Sequence, residues 1–355
     1  MKKINVLMVG VDMKSTGGML TVAKYYIDSA RYNESCNLYY VATAVRNKKY
    51  MKILHFVVTI PKIIWILSTK QIDVVHIHLA EKTSVFRKMV VAKIAKKFNK
   101  KVVFHLHAGI FVEWYESLNA FKQGLIKDMF DKADCVCVLG EYWKEKLSSI
   151  VSEKKIEVLY NGIETFSENK YNLNSSDITF FAHLRKTKGI YELLAAYKCS
   201  LDYLPENTVL HLCGMSDEFD IENYIIKNDL KKRVIYHGWV DGEEKKEIIQ
   251  KTALYVLPTY FEGLSMTVLE GMSYGIPVIT TNVTTMPELL GNITNLVQPG
   301  NIDELSKQLI ILMNDEKKRL RISNNEFEYI KEKFSVSAMI NRTLEIYSKV
   351  LGGKR

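Results

Sequence analysis

The stretch Leu254–Asn282, LYVLPTYFEGLSMTVLEGMSYGIPVITTN, decides the reading of the chain. Leu254 to Leu257 is a short apolar run closed by Pro258, which reads as a buried strand. Glu262 and Gly263 follow in the loop. Ser265 stands where a helix N-cap is favoured, ahead of apolar Met266, Val268 and Leu269. Gly275 and Pro277 turn that helix into the next strand, Pro277 to Thr280. Strand, loop, helix, strand is the repeating piece of a doubly wound α/β sheet, where ligands sit beyond the carboxyl ends of the strands. Amides near Gly263, Leu264 and Ser265 suit phosphate or sugar oxygens. Glu270 lies eight residues after Glu262, and a carboxylate accepts hydrogen bonds from two adjacent sugar hydroxyls. Two carboxylates bracketing an amide nest fit a polyhydroxylated, phosphorylated ligand. The plainer alternative is a helix cap beside a surface glutamate.

The same alternation extends outward in both directions. Ile4–Val9, Leu38–Ala42, Asp73–His78, Val102–His107, Asp134–Val138 and Ile156–Tyr160 read as strands of a first sheet. Ile178–Ala182, Val209–Cys213, Val234–His237, Leu254–Pro258 and Pro277–Thr280 read as strands of a second. The polar, aperiodic segment Glu164–Asp177 reads as the linker between them. The expected organisation is a first domain over 1–165, a second over 176–334, and a terminal helix within 335–355 crossing back to the first. The length of 355 residues fits two domains. Hydrophobic residues make up 47% and charged residues 25%, and mean hydropathy is −0.06. Those values exclude disorder, collagen and a polytopic membrane protein. Lys and Arg number 49 against 40 Asp and Glu, a net charge of +9 that favours anionic partners. The five cysteines show no C-x-x-C spacing, and Ile4–Val9 reads as a strand and is too short for a leader. Both point to a reducing cytoplasm.

Other segments carry chemistry of lower specificity. Gly17 and Gly18 precede a helix after the first strand, which permits close approach to a phosphate or an acceptor. A tight turn explains them equally well. Arg185, Lys186 and Lys188 precede Gly189 and a helix, a cationic loop suited to a diphosphate. His76 and His78 end one strand, and His105 and His107 the next. Residues i and i+2 share a face, but no acidic or cysteine pattern completes a metal site, so no metal is expected. The expectation is instead that one histidine of each pair is buried and hydrogen-bonded and the other faces the cleft. Cys135 and Cys137 read as core.

Two stretches suggest a membrane surface. Lys48–Lys70 is apolar, but Pro61 and Lys62 interrupt it and the apolar part reads as too short for a span. Glu81–Lys101 places Phe86, Val90, Ile94 and Phe98 on one face, with Arg87, Lys88, Lys93, Lys96, Lys97 and Lys100 around them. Ordinary sheet-covering helices and docking on an anionic bilayer are the two readings. Aromatics are not interleaved as nucleic-acid stacking requires, so no nucleic acid is expected.

Taken in order, the motifs resemble family 4 glycosyltransferases of the GT-B fold. They are STGGM near the start, HLHAG at His105–Gly109, YNGIE at Tyr160–Glu164, KGIYELLAA from Lys188, HGWV at His237–Val240, and E-G-L-S-M-T-V-L-E from Glu262 to Glu270. The resemblance implies two Rossmann-like domains facing a central cleft. It implies a retaining transferase that moves a sugar from a nucleoside diphosphate, UDP being favoured, to a glycan or lipid-linked acceptor in cell-surface polysaccharide synthesis. The nucleotide sugar is then a co-substrate, and no cofactor or metal is implied. The expected location is cytoplasmic, peripheral on the inner membrane face. Glu270 would hold the ribose, Glu262 the donor sugar, and the amides of Gly263, Leu264 and Ser265 sugar and phosphate. Lys188 with a nearby Arg would neutralise the diphosphate, His107 would sit beside the transferring sugar, and Trp239 and Val240 would flank the base. The chain departs from the family pattern at three places. His183 stands at the usual Arg position, with Arg185 as substitute; Thr284 and Thr285 replace a Gly pair; and Ala108 stands in HLHAG. The departures leave room for a second reading, a catalytically silent nucleotide-sugar-binding or scaffold subunit. A Rossmann dehydrogenase would require a G-x-G-x-x-G that the chain lacks.

Overall fold

The computed structural model describes the chain except for residues 1–2, 15–16, 44–48, 108, 219, 292–294 and 354–355, and the side chains of 49–50. Ser15 and Thr16 of the glycine loop, Ala108, and Lys48 at the head of the apolar segment therefore lie outside the described residues. The chain divides into two compact units, Met1–Gly162 with Val336–Arg355, and Ile163–Ser335.

The first unit holds a parallel sheet of β1 (Ile4–Gly10), β2 (Cys36–Ala42), β3 (Val74–Leu79), β4 (Lys101–Leu106), β5 (Cys135–Val138) and β6 (Ile156–Val158). Their order is β2-β1-β3-β4-β5-β6. Every residue of β3 and β5 is buried, as their unbroken apolar runs require of a sheet covered on both faces. The order reverses beside β1, so the crevice of this sheet opens at the carboxyl ends of β1 and β3. The terminal helix Val336–Val350 packs on this unit. Its Met339, Ile340, Ile346 and Tyr347 join Tyr26, Tyr32, Met8 and Val103 in one core cluster. Thr343 meets the Tyr26 hydroxyl at 2.7 Å, and Arg342 pairs with Glu157 at 2.6 Å.

The second unit holds β7 (Asp177–Phe181), β8 (Leu210–Cys213), β9 (Val234–Gly238), β10 (Thr252–Leu257), β11 (Val278–Thr281) and β12 (Leu296–Val297). They form a second parallel sheet ordered β12-β11-β10-β7-β8-β9. Here the reversal falls between β7 and β10. The loops after those two strands, residues 182–189 and 258–265, therefore line its crevice. The two-residue β12 has too little pattern to be seen in sequence. The segment read as a linker is bound to this unit throughout. The Asn169 amide donates to Ser323 and Asn324, both at 2.9 Å. Tyr171 donates to the Ala253 carbonyl at 3.2 Å, and Ser175 to that of Gln250 at 3.0 Å. Asn, Tyr and Ser side chains supply these bonds, so a polar composition that reads as linker serves as a strap.

Two helices correct the sequence reading. Lys49–Thr69 is one helix of 21 residues with Pro61 inside it. Its span Met51–Thr69, mean hydropathy 1.6, is long and apolar enough to cross a membrane by length and composition. The expectation that Pro61 and Lys62 interrupt it fails: the helix runs through Pro61, whose ring nitrogen leaves one backbone bond unmade. Ile63, Ile66 and Leu67 are buried against the unit, while Val58 is 68% and Trp65 56% exposed. In Thr83–Lys97 the buried face is Val85, Met89, Ala92 and Ala95 with Val91, in place of the expected Phe86, Val90, Ile94 and Phe98. Lys88, expected in solvent, is only 3% exposed. Its ammonium donates to the Gly10 carbonyl at 3.1 Å, and burial pushes its pKa well below the ordinary range.

Candidate functional site

The loop after β10 is joined to the last residues of the loop after β7. The Tyr260 amide donates to the Thr187 carbonyl at 2.9 Å, and the Thr259 hydroxyl to the same carbonyl at 3.1 Å. Gly189 makes the approach possible. Its φ is +73°, and a Cβ there would stand 1.9 Å from the Pro258 carbonyl oxygen. This closure brings the Lys188 ammonium to 2.5 Å from a Glu262 carboxylate oxygen. The side chains are 25% and 14% exposed, so the pair is half-desolvated. Ser265 caps the helix Met266–Ser273 by accepting from the Val268 amide at 3.4 Å. The remaining first-turn amides have no carbonyl within the helix to bond.

Glu270 lies one turn and a half further along that helix. Its carboxylate is 2.5 Å from the Lys245 ammonium. Lys245 also stands 5.4 Å over the Phe181 ring. Tyr255 lies near both glutamates. Its buried hydroxyl donates to Thr267 at 2.8 Å, and burial, with Glu262 and Glu270 both close, raises its pKa far above the usual phenol value. The structure therefore brings together Lys188, Glu262, Ser265 and Glu270, and adds Lys245. Sequence reasoning missed Lys245 because it lies in an ordinary charged run, GEEKKE, of the helix Gly242–Gln250.

Thr284 and Thr285 have a defined task in place of the glycine pair. The Thr284 hydroxyl donates to the Glu262 carbonyl at 2.7 Å, and that of Thr285 to the Gly263 carbonyl at 3.0 Å. Thr284 sits at φ +45°, a strained position for a β-branched residue. The two hydroxyls tie down the backbone of the glutamate loop.

The remaining nominated residues of this unit lie differently. Arg185 pairs with Asp217 at 3.0 Å and Glu218 at 3.6 Å, and His183 is exposed. The Trp239 side chain is 59% exposed and Val240 is buried. The Trp239 indole donates to Asp241 at 3.3 Å, so Asp241 does not use its side chain to cap the following helix. The Leu264 side chain is buried. Behind the site, His211 bridges Asp177 at 3.1 Å and His237 at 2.8 Å, a chain that the sequence spacing does not reveal.

In the first unit Gly17 is exposed at φ +103° and starts the helix Gly18–Asp28, where its carbonyl accepts from the Leu20 amide. His107 follows β4 and is partly exposed. Its Nε2 lies 2.8 Å from Nδ1 of His78. Burial, with His105 and His76 nearby, holds its pKa well below the ordinary range. Of the expectation that one histidine of each pair is buried and hydrogen-bonded, β4 meets the burial part in His105, whereas in β3 His76 and His78 are both fully buried.

Two parallel six-stranded α/β units of this kind, each with its crevice at the carboxyl ends of its strands, have the GT-B fold. The structure of Anabaena Alr3699/HepE in complex with UDP superposes with a TM-score of 0.75, at 17% identity, covering 98% of this chain and all of that one. Residues 163–329 match the model for glycosyl transferases group 1, and residues 25–165 match that for glycosyltransferase family 4. Between them the two matches take in most of the chain, which belongs to the family 4 glycosyltransferases. Among relatives, N-acetyl-α-D-glucosaminyl L-malate synthase of Bacillus anthracis is 24% identical over 299 residues, 79% of this chain and 76% of that protein. The capsular polysaccharide biosynthesis glycosyltransferase CapM of Staphylococcus aureus is 27% identical over 244 residues, 63% of each chain.

Proposed function

We propose that the chain is a retaining hexosyltransferase that moves a sugar from a UDP-sugar to a glycan or lipid-linked acceptor in cell-surface polysaccharide synthesis. The observation that carries this reading is the pair of lysine–glutamate contacts flanking the N-terminus of the helix Met266–Ser273. Without a donor, each glutamate is held by a cation. A diphosphate competes for Lys188 and releases Glu262 to the donor sugar hydroxyls. Glu270, oriented by Lys245, keeps one carboxylate oxygen for the ribose. Lys188 and the first-turn amides then act on the charge that develops on the leaving diphosphate. No metal is assigned a part in that step. His107 is the group of the first unit proposed to sit beside the transferring sugar, Gly17 and Gly18 to meet the acceptor, and Trp239 and Val240 to bound the base. The intact glutamates argue against a silent subunit. The UDP in the Anabaena complex and the polysaccharide role of CapM support the donor and the pathway.

The acceptor is proposed to be reached at the cytoplasmic face of an anionic membrane. Ile53, Leu54, Val57, Val58 and Trp65 form an exposed apolar side of the helix Lys49–Thr69, and Lys93 and Lys97 are exposed on the neighbouring helix. Such a combination inserts shallowly while its cations meet lipid phosphates. The deciding experiment is calorimetric titration with UDP, GDP and ADP, followed by transfer from the matching sugar nucleotides with the product anomer read by NMR. Tight binding of UDP and a product that keeps the donor's anomeric configuration are expected. Binding with neither transfer nor donor hydrolysis would establish the silent subunit instead.

A further inference from the structure

Four histidines gather where β3 and β4 end in the first unit. His76, His78 and His105 are fully buried, and one ring nitrogen from each lies within 4.8 Å of the others. The His76 and His78 rings are nearly parallel, at 15°, with centroids 4.8 Å apart. His105 lies 5.4 Å from the first and 5.3 Å from the second. Alternation puts His76 and His78 on one face of the sheet, and the parallel register sets His105 opposite His78.

The hydrogen bonds are one-sided. Nδ1 of His76 is 2.6 Å from the Tyr347 hydroxyl, which is itself 3.2 Å from that of Tyr32. Nδ1 of His78 is 2.8 Å from Nε2 of His107. Among the described residues, Nε2 of His76 and Nε2 of His78 are buried with no hydrogen-bond partner, and the nitrogens of His105 have at most a loose bond to the Leu159 backbone. Buried polar atoms are nearly always satisfied, so a cluster of orphans calls for a partner. When each bonded Nδ1 carries the proton and donates outward, each Nε2 presents a lone pair to the cluster. That is the habit of a metal-ligating imidazole, whose second nitrogen donates to an outer partner. Burial keeps the rings in the neutral form that ligates.

We propose that His76, His78 and His105 hold a transition-metal ion of the zinc class through three neutral imidazole nitrogens. Three neutral nitrogen donors without carboxylate select against magnesium and calcium. Zinc–nitrogen bonds of about 2.0–2.1 Å require the ring nitrogens, now within 4.8 Å of one another, to close in, and the fourth position falls to water or to hydroxide, the latter offsetting part of the ion's charge. The ion is separate from the diphosphate chemistry and does not depend on the proposed activity. It has one consequence for that site. With His78 donating from Nδ1, His107 accepts at Nε2 and presents its Nδ1–H, so the ion fixes the His107 tautomer.

The test uses tag-free full-length protein. After gel filtration, mass-spectrometric metal analysis is expected to find about one zinc per chain, falling to about a tenth or less in His105→Gln and His76→Gln. His237→Gln, in the other unit, is expected to keep it. The wild-type chain is also unfolded, stripped with chelator, and refolded with and without zinc, which avoids any dependence on the variants folding. Zinc is expected to raise Tm by mass action, and cobalt in its place to give the visible bands of a low-coordinate nitrogen-ligated ion. Wild-type protein with no bound metal, no cobalt spectrum and no shift in Tm would overturn the proposal. Retention of full zinc by both cluster variants would overturn it equally.

Discussion

Replacing Glu270 by Ala should weaken UDP binding by about 10- to 150-fold, the equivalent of losing a charged hydrogen-bond acceptor of about 1.5–3 kcal/mol. The structure sets what else changes. Glu270 is 29% exposed and its partner Lys245 24% exposed, so the lost ion pair itself contributes only about 1 kcal/mol of stability. Lys245 is exposed enough to turn its ammonium to solvent, and the fold should survive. The ambiguity is whether an orphaned Lys245 disturbs the pocket. Lys245→Met separates the cases: it leaves the carboxylate in place and should cost less affinity than Glu270→Ala. The double variant should bind UDP no better than Glu270→Ala alone. Titration calorimetry with UDP, alongside Tm for each protein, reads both quantities. Affinity for UDP within threefold of wild type in Glu270→Ala, at unchanged Tm, would refute the ribose assignment.

Lys188→Ala should lower both donor affinity and turnover, whereas Arg185→Ala should change either by less than about threefold, because Arg185 is already paired in solvent with Asp217 and Glu218; steady-state kinetics compare them. Glu326 is fully buried, accepts from the Val278 amide, and is pushed well above the carboxylate range by burial. A raised carboxyl contributes its stability below the unfolded pKa of about 4.3 and loses it as pH rises through the folded pKa. Glu326→Gln should therefore raise Tm at alkaline pH, with the advantage fading toward pH 4.5, as thermal melts across pH will report. Flotation with liposomes should increase with anionic lipid content and fall with salt. Val58→Ser with Trp65→Ser, or Lys93→Glu with Lys97→Glu, should weaken it; Lys96 is a poorer choice because it is already paired with Asp134. Indifference to all of these would leave a soluble acceptor.

Much of the architecture was legible in the linear chain, because it rests on local rules. Unbroken apolar runs such as Val74–Leu79 have no stable place except inside a covered parallel sheet. Ser265 caps a helix through a bond three residues away, and Glu262 and Glu270 are tied to that helix by spacing alone. Tertiary structure decided what depends on groups distant in sequence. The Lys245–Glu270 pair, the threonine clamp on the glutamate loop and the Arg185–Asp217 pair each join segments that no periodicity relates. The helix Thr83–Lys97 shows the same limit: two apolar stripes run along it, and only the sheet beneath determines which is buried, carrying Lys88 inside with it. The histidines show it most clearly. Alternation puts His76 with His78 and His105 with His107, but neighbouring strands and the Tyr347 hydroxyl of the returning last helix turn two pairs into one cluster with three buried members. A side chain's face is a property of its own strand or helix, whereas its partner is a property of whatever the completed fold packs against that face.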